Sequence, residues 1–227
     1  VENGAKEIVL LGQNVNAYSY EDEEGKFINF GLLLFYIARN KGIKRIRYTT
    51  SHPNNFDEQT YLAYEKLPQL VSHLHLPIQS GSDRILAAMK RGYTVLEYKS
   101  VIRKLKKARP EITFSSDFIV GFPEETDADF EATLELIREV KYGQAYSFKY
   151  STRPGTPAAE RDQLPEKLKT KRLYELQTLL SQQQKTTQDS MIGRDLCVLF
   201  EKPGRLEGQL VGKSEYLHAV HVCAPRS

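Results

Sequence analysis

The chain has 227 residues, 40% of them hydrophobic and 27% charged, with a net charge of only +3; this suits a soluble globular protein of one medium domain with a full core, or that plus a small appendage. No apolar run approaches the roughly 18 residues that a membrane helix needs, because the longest, around Leu32 to Ala38, is interrupted by Tyr36 and followed by Arg39. A membrane-spanning helix is therefore excluded, and no signal-peptide pattern is legible.

The chain opens without Met, and Val1-Glu2-Asn3-Gly4 reads as the frayed end of a helix with a Gly cap before a strand over Glu7 to Gly12. It is expected to be a fragment of a longer protein, with something upstream. Strand-like runs begin near Ile8, Ile46, Leu74, Thr113 and Ala145, separated by segments of helical period. Such a repeating βα unit predicts a parallel sheet. Between the first two strands Phe30, Leu33, Leu34, Ile37 and Ala38 form the stripe of a sheet-packed helix that Gly42 ends, and Asp57 is placed to cap the next helix. Arg39, Lys41, Lys44, Arg45 and Arg47 make a basic stretch suited to a polyanion.

Behind the third strand Ile85, Leu86 and Met89 form a short apolar face ended by Gly92. Tyr98, Val101, Ile102 and Leu105 then stripe a helix running to Pro110. That helix turns Lys99, Arg103, Lys104, Lys106, Lys107 and Arg109 outward, either as an ordinary solvated face or as a second polyanion surface. After the fourth strand Thr126-Asp127-Ala128-Asp129 resembles a capping box, with Phe130, Leu134 and Ile137 facing inward behind it.

From Pro165 to Gln188 a polar stretch of helical spacing carries Leu173, Leu176 and Leu180. Beyond Gly193 come short alternating runs, Leu196 to Glu201, Gly208 to Lys213 and Leu217 to Val222, the pattern of a small antiparallel module. The expected division is a parallel α/β unit over 1–164, a connecting helix over 165–190 and a β module over 191–227. Cys197 and Cys223 are too far apart for a C-x-x-C motif and read as ordinary residues of a reduced, cytoplasmic protein; no metal site is read in this chain.

Every strand-like run ends in a polar or Gly-bearing cluster, which is where a parallel α/β protein carries its chemistry. Gly12-Gln13-Asn14 puts a permissive backbone before two amides, suited to a zwitterion or a base edge. Thr49-Thr50-Ser51-His52-Pro53 offers hydroxyls and one His, which reads either as a base or, before Pro, as structural. Gln79, Ser80 and Ser82 surround Gly81 in an arrangement that suits a ribose or a carboxylate, with Ser82 also placed to cap a helix. Asp117 shares a strand face with Ile119, and Val120-Gly121 lets a flat ring approach the backbone. The last cluster, Tyr150 to Pro157, holds Arg153, the side chain best suited to a carboxylate or phosphate. No catalytic-triad order, G-x-x-x-x-G-K-[ST] or G-x-G-x-x-G occurs, so nucleotide hydrolysis and simple NAD chemistry lose most of their support.

Five strings in order, Leu10 to Tyr18, Arg45 to Pro53, His75 to Asp83, Ser115 to Pro123 and Tyr150 to Ala158, closely resemble the radical S-adenosylmethionine methylthiotransferases. Within them the nearest branch is the bacterial tRNA 2-methylthio-isopentenyladenosine synthases, favoured by Thr50-Ser51-His52-Pro53 and Gln79-Ser80-Gly81-Ser82. The resemblance runs from Glu7 to about Leu180. The tail from Met191 resembles more weakly the start of that family's RNA-binding TRAM module, through Ile192-Gly193-Arg194 and Gly208 to Lys213. One departure is Glu124, which stands where the family most often has Gly.

The resemblance implies a partial (β/α)6 radical-SAM barrel with five of its six strands in this chain, two 4Fe-4S clusters whose ligands are not in this chain, and S-adenosylmethionine bound across the strand ends. Its reductive cleavage would give a radical that takes hydrogen from C2 of adenine, after which sulfur and methyl are installed. By position the resemblance implies that Gly12, Gln13 and Asn14 meet the methionine amino group, that Gln79 and Ser80 meet the ribose, and that Asp117, Val120 and Gly121 form the adenine platform; Ser51 joins this set. Arg153 faces either the methionine carboxylate or the RNA. The implied partner is a tRNA anticodon arm, held by the basic clusters and the β module. The alternatives are the branches acting on threonylcarbamoyl-adenosine or on a ribosomal protein, and a non-catalytic RNA-binding barrel. The fragment alone is expected to be inactive.

Overall fold

The computed structural model describes Glu2 and residues 4–223. The helix end read at Val1 to Gly4 falls, at Val1 and Asn3, outside the described residues. In chain order the elements are β1 (Glu7–Leu10), β2 (Ser19–Glu21), β3 (Phe27–Asn29), α1 (Phe30–Ala38), β4 (Arg45–Tyr48), α2 (Glu58–Lys66), β5 (His73–His75) and α3 (Asp83–Ala88). There follow α4 (Val95–Ala108), β6 (Thr113–Val120), α5 (Asp127–Val140), β7 (Gln144–Lys149), α6 (Glu166–Asp189), β8 (Val198–Pro203), β9 (Gln209–Ser214) and β10 (Ala219–Cys223).

All five expected strands are present and parallel. β1 pairs with β4, and β5, β6 and β7 pair in that order. A bridge between Ile46 and Leu70, just ahead of β5, links the two groups. Alternation along the strands separates two faces. On one, Ile46, Tyr48, Leu74, Leu76, Phe114 and Phe118 pack into the core with Phe30, Leu34, Tyr64, Tyr98 and Ile137 from the helices. Three of its tyrosine hydroxyls are paired there: Tyr64 donates to the Tyr48 hydroxyl at 2.8 Å and Tyr98 to the Leu76 carbonyl at 2.9 Å. The other face carries Glu7, Arg45, Arg47, His73, His75, Ser115 and Asp117 by the same register.

The helix starts follow local chemistry. Asp57 accepts the Thr60 N–H at 2.7 Å, and both Thr94 with Glu97 and Thr126 with Asp129 form reciprocal capping boxes. Two expectations change. α1 ends at Ala38, ahead of Gly42, and the hairpin β2–β3 was not foreseen; the Asp22 carboxylate closes it by accepting the N–H groups of Glu24 at 3.1 Å and Lys26 at 2.8 Å.

The helix expected as a connector also covers β7, burying Leu176 and Leu180 in the core. Beyond it β8, β9 and β10 form an antiparallel sheet with a register shift between Phe200 and Lys202. This tail seats on the amino end of the parallel strands. Arg45 donates to the main-chain carbonyls of Lys213 (2.5 Å) and Cys197 (2.6 Å), and Arg47 to that of Ser214 (2.7 Å) and to Glu7 Oε1 (2.9 Å). The expectation that this basic stretch meets a polyanion is thereby corrected for its last two members, which are buried. The second basic run is likewise partly engaged: Lys99 pairs with Glu139, Lys106 donates to the Val140 carbonyl at 3.4 Å, and Arg109 donates to the Leu67 carbonyl at 2.7 Å and to that of Leu70.

Candidate functional site at the strand ends

The carboxyl ends of the parallel strands form one rim, along which hydrogen bonds run from strand to strand. The Val15 N–H donates to the Thr50 carbonyl at 3.1 Å, Leu76 to Ser115 at 2.8 Å, Gln79 to Asp117 at 3.0 Å, Ile119 to Gln79 at 2.9 Å and Tyr150 to Val120 at 2.8 Å. Side chains complete the series: Asn16 donates to the His52 carbonyl at 2.9 Å and accepts its N–H at 2.8 Å, and the Ser51 hydroxyl donates to the His75 carbonyl at 2.6 Å. Each loop is thus fixed to its neighbour, which is what a preorganised site requires.

Two rim residues other than Gly hold left-handed backbone, Thr50 at φ 59° and Gln79 at φ 83°. This region is sparsely populated by residues with a Cβ. At Gln79 the two main-chain bonds to β6 hold it there. Glu124 adopts φ 66° in the turn after β6, the conformation that a Gly would take freely. Its carbonyl accepts from Arg84 at 2.7 Å.

The expected site residues divide into two groups. Ser51, Ser80 and Val120 are buried. The Ser80 hydroxyl lies 3.3 Å from that of Thr133 in α5, Ser82 donates to Asp129 at 2.6 Å and caps α3, and the His52 ring accepts the Asn54 N–H at 3.3 Å. These hydroxyls are engaged with protein. Burial, with Arg91 nearby, lowers the His52 pKa, and its ring meets Tyr93 edge-on. Gly81 allows this packing, because a Cβ there would lie 2.4 Å from the Ala132 carbonyl oxygen.

The second group stays open. Gly12, Gln13, Asn14 and Arg153 are exposed, and Gln79 and Asp117 are half-buried. Asn14 donates to Asn55 at 2.9 Å. The side-chain polar groups of Gln13, Gln79 and Arg153 have no protein partner among the described residues. Gly121, at φ 72°, donates its N–H to Glu125 Oε2 at 2.9 Å, and a Cβ on it would lie 2.5 Å from Cγ of Lys169. Glu125 in turn accepts from Arg172 of α6 at 2.7 Å, in a pair almost wholly out of solvent. Burial raises the Glu125 pKa, against the opposing pull of the Gly121 N–H and Arg172.

Three contributors were not anticipated: Asn16, which brackets two loops; the Glu125–Arg172 pair, which secures the turn of Gly121; and His75. The His75 Nδ1 lies 2.9 Å from the Ser115 hydroxyl and its Nε2 lies 3.5 Å from Asp117 Oδ2. The alternation His73-Leu74-His75-Leu76 carried the signal, since period 2 sets both imidazoles on the face away from the core. Farther down that face burial, then Arg47, His75 and His218, push the His73 pKa down to about 3.

Amides and a guanidinium suit a carboxylate and an ammonium group, and Asp117 suits sugar hydroxyls, whereas Val120 and Gly121 are buried and their carbonyl and N–H are taken by Tyr150 and Glu125. Among the described residues no group of three or more His, Cys, Asp or Glu is placed to hold a metal ion.

The family model described as the Radical SAM superfamily matches residues 1–137. A tRNA-2-methylthio-N(6)-dimethylallyladenosine synthase of Paracoccus denitrificans is 56% identical over 99% of this chain and 51% of its own length. One of the same name from a Wolbachia of Brugia malayi is 54% identical over 99% of this chain and 51% of its own. The chain thus spans about half the length of the curated relatives it matches. Among solved structures the archaeal Methanocaldococcus infernus Elp3 with an N-terminal deletion superposes with a TM-score of 0.52 at 12% identity, over 91% of this chain and 65% of that one, a likeness of fold.

Proposed function

The chain belongs to the radical SAM superfamily, and on that premise we propose that the whole protein installs a methylthio group at C2 of N6-isopentenyladenosine beside the anticodon of tRNA. The observation that carries this reading is the alignment of synthases of that name along 99% of the chain, including every rim string.

Superfamily membership implies S-adenosylmethionine and 4Fe-4S chemistry. The open residues of the rim fit the first. Gln13 and Asn14 would hold the methionine zwitterion, Gln79 and Asp117 would face the ribose, and the adenine would lie against the turn at Val120-Gly121, which leaves Arg153 to the RNA. When bound, the cofactor supplies the hydrogen-abstracting radical chemistry. Ser51, Asn16 and the Glu125–Arg172 pair position these groups without touching the ligand, and Ser80 acts through its bond to α5. The residues described do not fit a cluster: Cys197 and Cys223 are both exposed in the tail. The cluster ligands are assigned to the rest of the whole protein, and no step is derived through them.

The tail sheet is read as the beginning of a TRAM-like RNA-binding module over 191–227, following the barrel of 1–164 and the helix of 165–190. No described helix is long and apolar enough to cross a membrane; the cytoplasmic place is proposed from the tRNA substrate. Mass spectrometry of tRNA from a deletion strain tests the function. N6-isopentenyladenosine lacking its 2-methylthio group, restored by the whole gene, is expected; 2-methylthio-isopentenyladenosine retained in the deletion strain overturns the proposal.

A further inference from the structure

The open face of β7 carries two large aromatic side chains that the core does not use. The register sets Tyr146 beside Asp117 and Phe148 beside Ile119, on the side of β7 opposite to Ala145, which packs on the core; both also border the cleft along the strand that Gln177, Leu180, Ser181 and Gln184 of α6 line. Tyr146 is 47% exposed and Phe148 55%. Residues two apart on a strand stand about 7 Å from each other, so the two side chains project side by side from the last strand of the sheet.

The pair is held and flanked by polar groups. Gln144 Nε2 donates to the Tyr146 hydroxyl at 2.9 Å, and the His75 ring meets Tyr146 at 6.5 Å between centroids, nearly perpendicular. His75 is itself fixed between Ser115 and Asp117. Past the strand Arg153 leaves its guanidinium without a protein partner among the described residues. A purely apolar occupant would bury Gln144, Asp117 and His75 without new partners, which is unfavourable. A heteroaromatic ring on a phosphate chain suits all three features: stacking for the rings, hydrogen bonds for its edge and charge for its backbone.

We infer that Tyr146 and Phe148 are the platform on which the target nucleobase of the RNA stacks, with Gln144 and His75 as positioning residues that hold the Tyr146 ring. The inference rests on the RNA substrate proposed above and assigns it a place on β7.

The test is equilibrium binding by the full-length holoprotein of a labelled anticodon stem-loop RNA carrying N6-isopentenyladenosine, against the same RNA with an abasic nucleotide there. S-adenosylmethionine binding is measured alongside by calorimetry. The wild type is expected to favour the base-bearing RNA by about 5- to 150-fold, the range of one base stacked on an aromatic side chain. Tyr146→Ala and Phe148→Ala each reduce that preference several-fold and leave the abasic RNA and the cofactor bound as before. Phe148→Leu, which keeps apolar bulk but not the flat ring, also reduces it, and Phe148→Trp retains it. Variants that keep the wild-type preference, or that lose cofactor affinity instead, overturn the platform alone. A wild type with no preference overturns the substrate reading and the platform with it.

Discussion

The two ends of the parallel sheet are held by different chemistry. At the amino end Glu7, Arg45 and Arg47 are charged, largely removed from water and engaged with one another and with the tail. At the carboxyl end the strands are joined mainly through main-chain groups and neutral side chains, while Gln13, Asp117 and Arg153 remain accessible. A buried charge needs a permanent partner: at the amino end Glu7 and the tail provide it for the arginines, and near the rim Glu125 and Arg172 provide it for each other. A rim joined through its backbone leaves side chains available to a ligand.

The largest expected break is at the closed end. Arg47→Ala deprives the Glu7 carboxylate of its closest partner and should lower stability by about 3–5 kcal/mol, read by chemical denaturation. Amide exchange should accelerate in β9 and β10 more than in β6; equal acceleration would show that the two ends are not independent. At the rim Arg172→Ala strands Glu125 and should lose about 3 kcal/mol, together with weaker S-adenosylmethionine binding by the holoprotein. Unchanged cofactor affinity would detach α6 from the site.

Gly81→Ala should lose about 1–3 kcal/mol in the same denaturation assay, because the added methyl meets the backbone of α5 rather than a side chain that can turn away. The closed end also predicts a pH dependence. His73 is half-buried and held neutral with its pKa lowered to about 3, so below its ordinary value of about 6.5 the unfolded chain binds the proton and the folded one does not. Stability is then full above pH 6.5 and falls between there and about 3, by up to about 1.4 kcal/mol per pH unit. His73→Gln should flatten that slope in denaturation midpoints taken from pH 7 to 4. The smallest effect is Ser51→Ala, about 1 kcal/mol from one lost hydrogen bond, with the tail's amide exchange unchanged.

The parallel strands and the capping of α5 were legible because period, caps and turn formers are local. So were the open rim residues Gln13, Asp117 and Arg153, which lie in the polar strings that end the strands. Arg45 and Arg47 misled because they were read as part of a linear basic run. Read at period 2, Arg45-Ile46-Arg47-Tyr48 sets both guanidinium groups on one face and both apolar side chains on the other. Ser80 was legible as polar but not in its direction, since its engagement depends on Thr133, 53 residues away. The left-handed backbone of Gln79 was hidden for the same reason: the bonds that hold it come from β6.

The grip of Arg45 and Arg47 on the tail has an evolutionary consequence. Their bonds to Cys197, Lys213 and Ser214 end on main-chain carbonyl oxygens, and every amino acid carries the same carbonyl. Substitutions along the tail can therefore accumulate without disturbing its seat, provided that its backbone path is kept. Two arginines on the barrel side thus hold the tail by its backbone and leave its side chains free to vary.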